Sequence, residues 1–266
     1  MKLVCMAQMY NENTHVGIDG KTNIYRFMKS ISKYCDALVM FDDGSTDDSR
    51  GVVSAFQFKG LLQEIELIGN PPGQNDFKNE LYHKARSLEH CRRLGADWIL
   101  WLDCDEIIEA KGERGGIRAL CETTTSGAVN LFERNLWRTD RCVRVDELWA
   151  QGLFCRLWKL TDELSFNHKP GLHQDLAPQG IVNRDTGALK VIHYGYADDA
   201  SIIRKYNNYK SHGQSGKALD RMIDESTLRL AEAAPEWFLD PEWPHGPMPG
   251  ADWVPMRKVL ENSMSN

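Results

Sequence analysis

The sequence lacks the patterns of a membrane protein and of a disulfide-bonded one. No apolar run approaches the roughly 18 residues of a membrane span, and the amino-terminal run at residues 3–9 is too short for a signal peptide. The seven cysteines are scattered without a C-x-x-C pair, which indicates reduced thiols rather than disulfides or a zinc site. We therefore expect a soluble, cytoplasmic protein, with a peripheral position on a membrane as the alternative.

A surplus of basic charge is also missing. Lys and Arg number 32 against 38 Asp and Glu, which gives a net charge of −6. A surface that coats a nucleic acid needs a basic stripe, and we interpret the one modest candidate, residues 134–144, as a solvated face. A nucleic-acid acceptor is therefore disfavoured without being excluded, and a bound nucleotide is compatible with this charge if a metal ion balances it.

Two common nucleotide-binding motifs are absent. The sequence has no G-x-G-x-x-G after its first apolar run and no Walker-type lysine loop, so neither an NAD-binding site nor an ATP hydrolase is favoured. What the chain does have is 42% hydrophobic residues over 266 positions, which suffices for one large domain with a buried core.

In the first half, short apolar runs alternate with stretches of helical period. This β-α-β-α order predicts an α/β domain with a parallel, doubly wound sheet, whose ligands bind beyond the carboxyl ends of the strands. The predicted strands cover residues 3–9, 37–41, 64–68 and 97–102, and the predicted helices cover about 22–33, a segment capped by Ser45 or Thr46, and 77–95.

The second half is less regular. Its predicted strands cover residues 128–132, 154–160 and 189–194, and its predicted helices cover about 199–210 and 217–233. From residue 235 onward the chain is rich in proline and contains Trp237, Trp243 and Trp253, which predicts an irregular strap on the domain or on a partner, with disorder as the alternative.

Acidic residues follow two of the predicted strands directly. Asp42 and Asp43 come after strand 37–41, and Asp103, Asp105 and Glu106 come after strand 97–102. Because the carboxyl ends of parallel strands meet at one edge, both clusters should face the same crevice. An Asp-x-Asp turn presents oxygens to a hard divalent cation, while the first cluster could accept hydrogen bonds from a base or a ribose. The later pair at residues 47 and 48 is interpreted as the solvated first turn of a helix.

Four stretches resemble glycosyltransferase family 2, of GT-A fold: AQMYNEN, FDDGSTDDS, ARS…LGADWILWLDCDE and IHYGYADDASIIRKYNNY. The resemblance covers residues 3–209 and is strongest up to Glu109. It implies one GT-A domain, with residues 1–110 as its nucleotide-sugar-binding half and 111–233 as its acceptor-side half, followed by a tail at 234–266. It also implies an inverting, Mn²⁺- or Mg²⁺-dependent transfer from a nucleotide-sugar, UDP-linked by preference, to a hydroxyl of a glycan, lipid-linked or other acceptor.

The same resemblance implies roles for individual residues. Asp105 would bind the metal ion, and His193 would complete that metal site. The residues that would contact the nucleotide-sugar are Asn11 and Glu12 after the first strand, Asp43 or Asp42 at the base, Arg86 near the nucleotide, Asp103 near the ribose, and Lys205 and Tyr209 at the diphosphate. Ser87 stands where the family's Ala-Arg-Asn motif has asparagine, which weakens the match at Arg86.

The catalytic base is the least defined part of the prediction. Inversion requires a general base on the acceptor hydroxyl, and Gln174 stands where the family has a glutamate. Asp175 is the nearest substitute, Glu147 and Asp146 are weaker alternatives, and His173 could orient the acceptor or act as the base. On the acceptor side, three tryptophans could stack on sugars or belong to the core; they are Trp137, Trp149 and Trp158.

Two other functions stay open at this point. A sugar-phosphate nucleotidyltransferase would use a similar crevice, but the residues after the first strand lack the glycine-rich, basic loop of such enzymes. A non-catalytic nucleotide- or sugar-binding module of the same fold would explain why Gln174 replaces a glutamate. Binding without turnover distinguishes the module from an enzyme.

Overall fold

The computed structural model describes residues 1–146, 149, 152–167, 177–250 and 253–264. Apolar runs form most of the strands, since alternate side chains can then pack on both faces of a sheet. The strands are β1 (Leu3–Met9), β2 (Ala37–Asp43), β3 (Glu64–Asn70), β4 (Trp98–Trp101), β5 (Glu106–Ile108), β6 (Ala128–Asn135), β7 (Cys142–Arg144), β8 (Leu153–Lys159), β9 (Arg184–His193) and β10 (Leu230–Glu232).

Helices connect the strands in the first half of the chain, and further helices lie near its carboxyl end. They are α1 (Asn23–Ile31), α2 (Ser49–Phe58), α3 (Glu80–Arg93), α4 (Ile117–Thr123), α5 (Asp199–Ser211), α6 (Lys217–Ile223) and α7 (Met256–Ser263). A π-helical turn at Gly112–Gly116 precedes α4, and a 3₁₀ turn lies at Pro235–Trp237. Among the described residues, no helix combines the length and the apolarity that crossing a bilayer requires.

Eight strands form one sheet in the order β3-β2-β1-β4-β8-β6-β9-β5. The first four are mutually parallel, β8 runs antiparallel to β4 and β6, and β9 pairs parallel with β6 and antiparallel with β5. A separate ribbon joins β7 to β10. The predicted α/β class with a mostly parallel sheet is confirmed, and each antiparallel pair includes at least one strand from the second half of the chain.

The alternation of side chains along β1 explains why helices lie on both faces of the sheet. Leu3, Cys5 and Ala7 belong to one buried cluster, which contains the inner faces of α1 and α2. Val4 and Met6 belong to the other, which contains the inner face of α3. A strand buried on both faces reads as a continuous apolar run, and this is why β1 and β2 could be predicted closely.

Two helix predictions are wrong in their bounds. Helix α2 begins at Ser49, not after Ser45 or Thr46, because the Asp47 carboxylate accepts hydrogen bonds from the backbone N–H groups of Asn13, Thr14 and Ser49. Asp47 therefore ties the loop after β2 to the loop after β1 and is not in a solvated helical turn. The helix predicted at 217–233 ends at Ile223, and residues 230–232 pair with β7.

The tail contains more regular structure than predicted, because its helix α7 buries Met256 and Leu260 against α5 and α6. Upstream of α7, the buried Asp140 carboxylate accepts hydrogen bonds from the backbone N–H groups of His245 and Gly246. These contacts fix the tail to the second half of the domain.

The basic segment at 134–144 is not a solvated face. The Arg138 guanidinium is buried and pairs with Asp199, and Arg144 is buried and pairs with Asp146. Trp137 and Trp158 are fully buried as well, so they belong to the core and cannot stack on a sugar. The indole of Trp149 is half-buried and packs edge-on against Tyr196.

Candidate active site

The carboxyl ends of β2 and β4 flank that of β1, so the loops that follow these strands border one crevice. Met9 at the end of β1 lies opposite Asp42, and Met6 lies opposite Trp101 at the end of β4. The Cys104 thiol, in the turn after β4, donates a hydrogen bond to the Gln8 carbonyl 3.2 Å away. The two acidic clusters therefore stand on either side of β1.

An antiparallel pair brings Asp105 to His193. In the register of β5 with β9, Glu106 lies opposite His193, and the Tyr194 N–H donates to the Asp105 carbonyl at 2.8 Å. As a result the Asp105 Oδ2 atom lies 3.2 Å from His193 Nε2. Strand β5 was not predicted from the sequence, since three residues are too few to show a period.

The other nitrogen of the His193 ring is held by Asn135. The distance from His193 Nδ1 to Asn135 Oδ1 is 2.5 Å, and the two residues are paired in the register of β6 with β9. An amide oxygen only accepts hydrogen bonds, so His193 Nδ1 carries a proton and donates to Asn135. A histidine whose outer nitrogen is fixed in this way is typical of metal ligands.

Lys205 of α5 reaches the same two side chains. Its Nζ atom lies 2.7 Å from Asp105 Oδ2 and 2.9 Å from His193 Nε2, and 4.9 Å from the centre of the Tyr196 ring. Burial raises the pKa of Asp105, but the adjacent Lys205 ammonium and His193 together hold that pKa well below its usual range. Tyr209 lies one helical turn beyond Lys205 and is half-buried.

Gly195 leaves the space that these three groups occupy. A Cβ atom at this position would lie 2.5 Å from Asp105 Oδ2 and 2.5 Å from His193 Nε2, which is closer than any Cβ contact allows. The glycine after the His193–Tyr194 pair is therefore required by the approach of the three side chains.

A buried arginine holds the acidic residues on the sheet side of the crevice. Arg156 of β8 donates to Glu106 and, at 2.8 Å, to Glu133, and its Nη1 atom lies 3.7 Å from Asp103 Oδ2. Burial and the neighbouring carboxylates raise the pKa of Glu106 well above its usual range in spite of Arg156. Arg156 and Glu133 were not predicted from the sequence, although a lone arginine within the apolar run FCRLWKL was a usable signal.

The chemistry of this group fits a divalent cation. Among the described residues of the second cluster, four carboxylates (Asp103, Asp105, Glu106 and Glu133) face two cationic side chains (Arg156 and Lys205), a surplus of negative charge. Asp105 and His193 present one oxygen and one nitrogen lone pair toward a common point, and Mn²⁺ and Mg²⁺ accept such donors. These two residues could hold the ion and leave its remaining positions to a ligand.

In the first cluster, Asp43 is held by hydrogen bonds from neutral groups. Asp43 is fully buried, and its carboxylate accepts from Asn70 Nδ2 at 2.7 Å, from the Asp76 N–H at 2.9 Å and from Asn75 Nδ2 at 2.9 Å. Burial raises the pKa of Asp43 to about 6. Next to it, the His83 ring stacks on Phe41 with 4.1 Å between ring centres.

Asp42 has a different environment from Asp43. It is fully buried, and its two oxygens accept hydrogen bonds from the Ser45 N–H and from Arg50. Both oxygens are thus engaged within the β2 loop. The sequence left Asp42 and Asp43 as alternatives, and the structure turns only Asp43 toward α3 and the loop after β3.

Three further residues were predicted to contact the nucleotide, and they lie beside the first cluster and in the loop after β1. The Asn11 side-chain oxygen accepts from the Thr46 N–H at 2.7 Å, and Glu12 accepts from Asn23 Nδ2 at 3.0 Å. Both residues therefore stabilise the loop after β1. The Arg86 guanidinium lies 5.5 Å from the centre of the Phe41 ring, on the side of the first cluster.

The predicted catalytic residues Asp175 and His173 lie outside the described residues, as do Gln174 and Glu147. Asp146 is described, and both of its oxygens accept hydrogen bonds from Arg144, at 2.8 and 3.0 Å. Burial would raise the pKa of Asp146, but Arg144 holds it below its usual range. A carboxylate in this state stabilises its loop and is a poor base.

The structure is similar to solved glycosyltransferases. TarS 1–349 from S. aureus matches with a TM-score of 0.50 and 11% identity, over 84% of this chain and 69% of that one. Its complex with UDP-GlcNAc matches with a TM-score of 0.50 and 11% identity, over 85% and 71%. A mannosyltransferase from Pyrobaculum calidifontis, in complex with GDP-Man and Mn²⁺, matches with a TM-score of only 0.43 at 12% identity, over 81% and 65%.

No protein-family model and no curated protein matches this sequence. The likeness to TarS shows the fold, which is GT-A-like. At this identity the fold is all that the likeness shows.

Proposed function

We propose that this chain is a metal-dependent glycosyltransferase, which moves a sugar from a nucleotide-sugar to an acceptor hydroxyl. The observation that carries the proposal is the meeting of Asp105, His193 and Lys205 beyond the carboxyl end of β4, in a GT-A-like fold. Two lone pairs and an ammonium at one point suit a bound diphosphate and its cation. Asp43 lies on the other side of β1, where the base of the same nucleotide would bind.

The donor would span both clusters. Asp43 would accept from the base, Asp103 would lie near the ribose, and Lys205 and Tyr209 would face the diphosphate, with Arg86 beside the base. UDP is our preferred nucleotide, supported by the complex of TarS with UDP-GlcNAc. Asp105 and His193 would hold Mn²⁺ or Mg²⁺, which neutralises negative charge on the diphosphate as it leaves.

Transfer then needs a base on the acceptor side. The acceptor oxygen forms a bond to the anomeric carbon, the bond from that carbon to the diphosphate oxygen breaks, and the hydroxyl proton passes to the base. We propose Asp175 as this base. His173 would orient the acceptor or would act as the base in place of Asp175. Attack from the face opposite the diphosphate would invert the anomeric centre. Lys205 would remain beside the departing diphosphate, where its charge is needed.

The proposal is tested with a panel of nucleotide-sugars and Mn²⁺, scored by thermal shift and by slow hydrolysis of the donor without an acceptor. We expect one nucleoside diphosphate, together with the metal ion, to raise the melting temperature selectively. Asp175→Asn should keep this shift and lose turnover, and Asp162→Asn, a change in an exposed turn, is the matched control.

Three outcomes would change the assignment. No response to any nucleotide would overturn the glycosyltransferase. A nucleotide response without hydrolysis or transfer would favour the binding module. Release of pyrophosphate from a nucleoside triphosphate and a sugar phosphate would favour the nucleotidyltransferase.

A further inference from the structure

The ammonium of Lys205 occupies the point to which both proposed metal ligands are directed. Its Nζ atom lies 2.7 Å from Asp105 Oδ2 and 2.9 Å from His193 Nε2. An ammonium can only donate, so His193 Nε2 accepts from Lys205, and Asp105 Oδ2 also accepts. Two acceptor atoms 3.2 Å apart repel each other unless a positive charge binds both, and Lys205 supplies that charge.

A metal ion and this ammonium would compete for the same electron pairs. The Nε2 atom has one lone pair, so it cannot serve Lys205 and a metal ion together. Two cations beside one carboxylate would also repel each other strongly in a half-buried site. Lys205 must therefore move away before Asp105 and His193 can coordinate a cation.

Among the residues that the structure describes, little compensates Lys205 for such a move. Its side chain is only 18% exposed, and it contacts Asp105, His193 and the ring of Tyr196. Moving a mostly buried charge away from its carboxylate is costly unless another anion receives it. On the proposed function, the diphosphate of the donor is that anion.

We propose that the Lys205 ammonium occupies the metal site and prevents a metal ion from binding there until a nucleoside diphosphate binds. The diphosphate would draw the ammonium away from Asp105 and His193 and would free both atoms for Mn²⁺ or Mg²⁺. Metal ion and nucleotide would then bind cooperatively, and free metal ion would bind weakly. This inference rests on the proposed function and adds an order of binding to it.

The test measures Mn²⁺ binding directly, by the electron paramagnetic resonance signal of the free ion, with and without UDP or GDP. In the wild-type protein we expect the nucleotide to tighten Mn²⁺ binding by at least about tenfold, within the usual range of coupling between two sites. Lys205→Met keeps an unbranched side chain, shorter by one atom, and removes its charge. In that variant we expect Mn²⁺ alone to bind about tenfold more tightly than in the wild type, so that the nucleotide adds less.

The matched control is Lys210→Met, which removes an exposed lysine of the same helix and should leave Mn²⁺ binding unchanged. Circular dichroism and the melting temperature check that each variant folds. If Lys205→Met binds Mn²⁺ alone no more tightly than the wild type, or if the wild type binds Mn²⁺ equally well without nucleotide, the inference is overturned while the proposed function stands. If the wild type binds neither Mn²⁺ nor any nucleotide, the proposed function fails as well.

Discussion

The two acidic clusters of the crevice are balanced by different chemistry. Around Asp43 the partners are two amide side chains and a backbone N–H, all of them neutral donors. Around Asp105 they are a lysine and a histidine, and the nearby carboxylates share the buried Arg156. Neutral donors suit the recognition of a neutral nucleobase. Cations and a surplus of carboxylates suit a site that binds and releases charged ligands.

The largest expected effect comes from the charged cluster. Asp105→Asn removes one proposed metal ligand and the partner of Lys205, so we expect turnover to fall by at least about a hundredfold. The measurement is the rate of donor hydrolysis or transfer at saturating Mn²⁺. The control is Asp48→Asn, an exposed change beside the first cluster that should retain the wild-type rate. A wild-type rate in Asp105→Asn would remove this residue from the chemistry.

The next-largest expected effect is a difference in nucleotide affinity between variants of the neighbours Asp42 and Asp43. Asp43→Asn removes a charged acceptor at the proposed base site, and we expect nucleotide affinity to weaken about tenfold, as for loss of one charge-assisted hydrogen bond. Asp42→Asn weakens the pairing of the buried Asp42 carboxylate with the partly exposed Arg50, so it should lower the melting temperature and change affinity less. Calorimetric titration with UDP and GDP, together with thermal unfolding, measures both. Equal affinities in the two variants would contradict the division between them.

The smallest effect is a pH dependence of the first cluster. Since the pKa of Asp43 is raised to about 6, the carboxylate form falls as the pH drops through that value. We expect nucleotide affinity to weaken about fourfold between about pH 7.5 and about pH 5.5, and this dependence to vanish in Asp43→Asn.

The contribution of Asp43 to the free energy of unfolding should change with pH in the opposite direction to its contribution to nucleotide affinity. Its pKa is higher in the folded protein than in the unfolded chain, so the folded state binds the proton more tightly. The free energy of unfolding that this group contributes is therefore greatest at low pH and falls as the pH rises toward and through about 6. Denaturant titrations of the wild type and Asp43→Asn without nucleotide measure the difference. The same sign in both experiments would contradict the pKa shift.

The sequence was sufficient where structure depends on local patterns. Strands β1, β2 and β4 are apolar runs, and β3 alternates apolar with acidic residues. The acidic residues stand at the end of β2 and just after β4, so their shared edge could be predicted. The contact of His193 with Asp105 could not be derived from spacing, since 88 positions separate them and a three-residue strand aligns them. The resemblance to a family suggested that pair, and the structure brings it together.

The parts that were missed depend on the antiparallel second half. Arg156, Glu133 and Asn135 lie on β8 and β6, whose neighbours in the sheet are not their neighbours in the chain. The helix predicted at 217–233 was too long because tertiary pairing with β7 takes residues 230–232 into a strand. Local secondary-structure propensity does not indicate which strands pair when they are distant in the sequence.

Strand β5 is short and lies at the edge of the sheet, with β9 as its pairing partner. Edge segments with few ladder bonds open by local fluctuation well before a protein unfolds globally. Here such an opening would separate Asp105 from His193 while the core around β1 and β2 stayed intact. Hydrogen exchange at the amides of β5 would therefore report how often Asp105 and His193 separate, and a ligand that bridges the two side chains would slow this exchange.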